Sequence, residues 1–236
     1  MARKPARKSA GKSARSAAAP AGERDKIIAA LLGLLAEKRI EEIGLAELAE
    51  AAGLSLAQLR AEFPSLLAIV AAHIKAIDRA VLAEDFSDMD EEPPRERLFD
   101  VLMRRLELLS PNREAVRSLL RSATHNPPLA VALNGLAVRS QQWMLTAAGI
   151  SASGPRGMMR AQGLALLFGS VLRTWVSDDD PGLARTMAAL DRALARGQRF
   201  AALLEDLCRV PSRLCRLRPG RRRRQRSDDS EESAAA

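Results

Sequence analysis

Tyrosine is absent from this 236-residue chain, and aromatic residues together make up only 3% of it. β-Branched residues are also scarce while alanine and leucine abound, a bias that favours helix over sheet. The only cysteines, Cys208 and Cys215, exclude a disulfide-built scaffold and are too few to hold a metal alone, so they read as ordinary thiols. The two histidines, His73 and His125, lie too far apart to suggest a ligand pair, and neither has a recognisable catalytic partner nearby. No apolar run reaches the roughly 18 residues that a membrane span needs. No glycine-rich phosphate loop, carboxylate pair or zinc spacing occurs. The expectation is a cytoplasmic, non-enzymatic protein without metal or cofactor.

What is present is charge, unevenly placed. The formal net charge is +8. Residues 1–22 contribute +6 with no acid, through Arg3, Lys4, Arg7, Lys8, Lys12 and Arg15. Residues 209–236 contribute +5, leaving the stretch between them at −3. The basic ends favour an anionic partner of some kind, and the central part is slightly acidic. Residues 1–22 have no apolar periodicity and are expected to form a disordered basic arm. An import peptide is the lesser alternative, because Pro5, Gly11, Pro20 and Gly22 would break its helix.

Between the tails the pattern is helical throughout, with no sustained period of two, so the predicted fold class is all-α. A first helix is predicted from Glu23 to about Arg39 on Ile27, Ile28, Leu31, Leu32, Leu34 and Leu35. A short one follows through Leu45, Leu48, Ala49 and Ala52, stopped by Gly53. Ser55 and Gln58 form a capping-box pattern that starts another, which Phe63-Pro64-Ser65 ends. A fourth helix runs from about Leu66 to Leu82. Beyond six acids in 84–92 and Pro93-Pro94, five more are predicted at about 95–109, 113–123, 128–148, 155–177 and 182–208. Asp180-Pro181 reads as the N-cap and first residue of the last one.

Short helices joined through Ala52-Gly53-Leu54-Ser55 fit a helix-turn-helix, with Ser55, Leu56, Gln58 and Arg60 pointing outward where base edges would be met. Together with Ile28, Ala29-Ala30, Leu48-Ala49, Leu59, Phe63-Pro64-Ser65 and Ile69, this segment resembles the TetR family of bacterial transcriptional regulators over about 45 residues. Arg60 stands where that family usually has a phosphate-contacting tyrosine, and Leu66 where it usually has lysine. The resemblance implies a DNA-binding head, a ligand-responsive helical body and a homodimer formed through the last two long helices. The chain then divides into an arm at 1–22, a helix-turn-helix domain at 23–83, a ligand-binding and dimerisation domain at 95–208, and a tail at 209–236. The expected partners are double-stranded DNA, contacted also by Arg3, Lys4, Arg7 and Lys8, and a small apolar ligand. Phe99, Met103, Trp143, Phe168 and Trp175 are candidate pocket residues, with core packing as the alternative.

A second resemblance, to TetR-like lipid-binding proteins that assist ubiquinone biosynthesis, rests on Phe63-Pro64, Trp175, Asp178, Thr186 and Leu190-Asp191-Arg192. It implies lipid or isoprenoid binding in place of DNA binding. In Leu203–Leu217, arginines interleave with apolar residues, which suits either a peripheral contact with anionic membrane or packing on the body.

Overall fold

A computed structural model describes residues 22–84 and 91–214, with side-chain surroundings as far as Arg199. The predicted basic arm and the C-terminal tail beyond Leu214 lie outside the described residues. So does most of the acid-rich segment after Glu84. Among the described residues there are nine α-helices and no strand: α1 Glu23–Glu37, α2 Leu45–Ala52, α3 Leu56–Glu62, α4 Leu66–Leu82, α5 Pro94–Leu109, α6 Arg113–His125, α7 Pro127–Ala147, α8 Gly154–Trp175 and α9 Ala184–Leu214. The described residues as far as Leu194 pack as one compact unit, and those from Ala195 to Leu214 belong to a second. None of these helices is long and apolar enough to cross a membrane.

Two apolar cores organise the first unit. The head core gathers Ile27, Leu31 and Leu35 of α1 with Leu48, Leu59, Phe63, Ile69 and Val70. It is not made by the head alone. Ala115 is buried in it, and Leu119, Leu129 and Leu133 of α6 and α7 pack against it. Two polar ties run alongside: Ser118 Oγ donates to the Lys38 carbonyl at 2.8 Å, and Asn126 Nδ2 donates to Glu41 Oε1 at 3.1 Å. The body core contains Leu102 and Leu106 of α5, Met144 of α7, and Phe168, Val171 and Trp175 of α8. α4 takes part in both, with Ile69 and Val70 in one core and Ile77 and Val81 in the other.

A buried ion pair sits at the second half of α4. Arg105 of α5 and Asp78 of α4 are only 5% and 7% exposed. Arg105 Nη1 donates to Asp78 Oδ1 at 2.6 Å and also to Ser140 Oγ of α7, whose hydroxyl donates to the same Asp78 oxygen at 2.7 Å. The Phe168 ring lies 5.5 Å from the guanidinium carbon, so α8 closes the site. Burial lowers the basicity of Arg105 and Asp78 opposes it. His73, one turn or so earlier on α4, is also held below its ordinary value, by burial and then by Arg105.

Several boundaries differ from those predicted. α1 ends at Glu37, and a 3-10 turn at Ile40–Glu42 carries the chain to α2. α9 starts at Ala184, three residues beyond Pro181, and extends through Pro211 to Leu214. The reason for its late start is that Leu183 takes a left-handed conformation at φ 52°. The cap comes from farther back: buried Asp178 accepts from the Thr186 amide at 2.8 Å and from its hydroxyl at 2.6 Å. The Thr186 hydroxyl bond is the first cause holding the Asp178 carboxyl below the usual range. Asp180 also contributes, accepting from the amide of Gly182 and from that of Ala184, the first residue of α9.

Removing one partner of a buried pair strands the other, at a cost of about 3–5 kcal/mol, whereas apolar replacement of both is far milder. Arg105→Ala is therefore expected to lower the unfolding free energy by about that amount. The double variant Asp78→Leu with Arg105→Met should recover most of the loss. Chemical denaturation of the three proteins checks this, and a single variant as stable as the parent would contradict it.

Candidate nucleic-acid interface

The helix-turn-helix is built by three local devices. Gly53 sits at φ 67°, where a side chain would be strained. Its amide and that of Leu54 bond back to the carbonyls of Glu50 and Ala49 at 2.9 Å, closing α2 in a Schellman-type turn. The capping box at α3 is formed in full: the Gln58 amide donates to Ser55 Oγ at 3.2 Å, and the Ser55 amide donates to Gln58 Oε1 at 3.0 Å. Leu48 and Leu59 are buried between the two helices.

The start of α1 braces α3 from the side. Arg24 Nη1 donates to both the carbonyl and the carboxylate of Glu62 at 3.1 Å, and its guanidinium lies 4.3 Å from the centre of the Phe63 ring. Glu23 Oε1 accepts from Gln58 Nε2 at 3.2 Å. Nothing in the sequence pattern signalled these contacts, because they join residues more than 34 positions apart.

Ser55, Leu56, Gln58 and Arg60 all lie on the exposed side of α3, with Leu59 inward. Leu56 is 54% exposed. Ser55 and Gln58 are engaged with one another, whereas Arg60 makes no ion pair among the described residues. Arg3, Lys4, Arg7 and Lys8 lie outside the described residues.

The candidate pocket residues separate. Phe168 and Trp175 are buried in the body core, and Phe99 and Met103 pack against it. Trp143 does not join them. α7 turns Gln141 and Met144 inward, which puts Trp143 on its outer surface at 58% exposure. Phe99 also borders an open surface cleft of about 480 Å³, lined with Arg95, Glu96, Met187, Ala188 and Asp191. The Arg95–Asp191 ion pair spans it, and no periodicity argument pointed there. No group of residues able to hold a metal occurs among the described residues.

No protein-family model matches the chain, and no curated protein matches it in sequence. Solved structures do match. The TetR transcriptional regulator from Nitrosomonas europaea ATCC 19718 superposes with a TM-score of 0.59 at 21% identity, covering 75% of this chain and 99% of that one. A TetR transcriptional regulator from Rhodococcus sp. RHA1 gives 0.52 at 21% identity over 74% and 95% of the two chains. A second Rhodococcus protein, described as a TetR-family transcriptional regulator, gives 0.51 at 19% identity over 76% and 98%. The chain has the fold of TetR-type transcriptional regulators: a three-helix head containing a helix-turn-helix, followed by a larger helical body.

Because the Ser55 hydroxyl is exposed and serves the cap, Ser55→Ala should lower stability by about 1 kcal/mol. Gly53→Ala should cost about as much through its positive φ. Thermal melts of the two variants measure this; no change in either would mean that the turn does not depend on these devices.

Proposed function

We propose that the protein is a one-component transcriptional regulator that binds operator DNA as a homodimer, with a small apolar ligand in the body relieving that binding. The observation that carries this is the Gly53 turn and capped α3, which hold a short helix exposed along its whole outer side. On this reading 23–83 is the DNA-binding part and 95–208 the ligand-binding and dimerising part. On this reading the function is not enzymatic. The basic arm enters through charge. Residues 23–75 carry eight acids against six bases, so the head itself repels a polyanion slightly. Six bases in the arm more than offset this.

The outer face of α8 suits dimerisation. Met159, Gly163, Leu166 and Ser170 recur at helical spacing on its exposed side, and Leu166 is 63% exposed. A side chain at Gly163 would meet nothing, so a second helix can come close there. Ala161 of α8 and Ala193 of α9, also small, are buried within the unit and serve its own packing.

The second reading, lipid or isoprenoid binding on the same fold, draws its support from the acidic head. The motif residues behind that resemblance have structural work in this chain: Asp178 caps α9 through Thr186, and Asp191 pairs with Arg95.

Enrichment of genomic DNA fragments by the purified full chain, run beside anionic liposomes across a salt series, separates the two readings. The regulator enriches specific fragments, loses them on Arg60→Ala, and shows a salt slope that flattens by about five per protomer when residues 2–19 are deleted. Liposome binding without DNA enrichment would support the other reading. For the dimer, Leu166→Glu should turn a dimer into a monomer in light scattering; an unchanged mass would place the interface elsewhere.

A further inference from the structure

Resting on the regulator reading, we infer that α3 reads its half-site mainly through thymine methyl groups, with Arg60 as its one hydrogen-bonding reader. The argument begins with what α3 has left to offer a base pair. Gln58 is the residue whose amide could pair with adenine. The acceptor that this pairing needs is taken: Oε1 accepts from the Ser55 amide at 3.0 Å and its hydroxyl at 2.9 Å, and one Nε2 hydrogen goes to Glu23 at 3.2 Å. Ser55 is spent in the same cap. Glu62 is held by Arg24.

The outward face then consists of Leu56, Ala57, Arg60 and Ala61, all exposed, with Leu59 buried opposite. Three of these four end in methyl groups. Alanines at 57 and 61 keep the helix slim enough to lie deep in a major groove, and Leu56 adds a protruding alkyl group beside them. The one apolar feature a major groove displays is the thymine C5-methyl, and the contact suited to a guanidinium is the N7 and O6 edge of guanine. A face of this composition has no free acceptor for the amino groups of adenine or cytosine, and Arg60, a donor only, is matched to N7 and O6 acceptors.

The neighbouring chain fits a nucleic-acid occupant. α1 begins beside α3, where Glu23 meets Gln58, and residues 1–22 carry six bases and no acid. That charge is of the sign that phosphates attract, and an alkyl-faced helix on an acidic head lacks it.

The test selects duplexes from a random pool with the full-length protein and then replaces thymine by uracil, one position at a time, in the selected site. Uracil keeps every hydrogen-bonding group and removes only the methyl. Expected is a half-site with thymines next to a guanine, affinity about fourfold weaker for each contacted methyl removed, and a loss of that sensitivity in Leu56→Ala. Arg60→Ala should lose discrimination at the guanine by about tenfold or more. Both side chains are exposed, and matching melting curves confirm that the variants fold. A selected site indifferent to uracil at every position overturns the inference and leaves the regulator reading standing. So does a base preference that follows Gln58→Ala and ignores Leu56→Ala. Failure to select any duplex overturns the regulator reading itself.

Discussion

The contact on which most of the first unit depends is the buried pair of Asp78 and Arg105, with Ser140 as its third member. Two charges removed from water gain little net stability from each other, so the pair is a poor source of folding energy. Its effect is on position. One guanidinium nitrogen and one carboxylate oxygen fix α4, α5 and α7 against one another, and Phe168 of α8 covers the charge. Apolar side chains at these places would tolerate a sliding of the helices; a stranded charge does not. α4 is the helix whose first half lies in the head core and whose second half lies in the body core. Fixing it at Asp78 therefore fixes the end of the head that continues into the body.

The second tie runs through α1 and α6, and it follows from size. A head of about 60 residues buries a modest share of its surface, and its core is correspondingly marginal. Here the shortfall is met by Ala115, Leu119, Leu129 and Leu133, which belong to the body in sequence and to the head in packing. The Ser118 and Asn126 hydrogen bonds hold the same seam at the C-terminal end of α1. With α4 on one side and α6 on the other, the head has two attachments to the body.

What could be read in the sequence was whatever is written within a few residues. Gly53, the Ser55–Gln58 box and the 27–31–35 stripe of α1 are local signals, and the structure places each as the spacing requires. The all-α class followed from composition and period in the same way. What could not be read was written across distance. Asp180-Pro181 carries the sequence signature of a helix start, yet the helix begins only at Ala184, and Asp178 shares the capping with Asp180 because its carboxylate is buried where the Thr186 amide and hydroxyl converge. Asp78 and Arg105 appear in the sequence as surface charges on two amphipathic helices, and only the crossing of α4 over α5 shows otherwise. Trp143 looked like a lining residue by size and turned outward by phase.

The candidate interface shows the same division between local duty and remaining surface. Polar residues at the start of a short helix satisfy its unpaired amides, and Ser55 and Gln58 do this for α3. Glu23 then completes Gln58 from outside, so the residue most suited by chemistry to read a base is the one most committed to the fold. What remains outward is alkyl surface and a single guanidinium. On the regulator reading, such a face would contribute selectivity without much attraction, since methyl contacts are weak and the head is slightly acidic. Affinity then has to come from elsewhere on the chain. The basic residues 3–15 precede α1 in the sequence, and α1 starts beside α3, where Glu23 meets Gln58. The net charge of +8 by itself only pointed to some anionic partner. The start of α1 beside α3 is what points the N-terminal share of that charge to one particular surface.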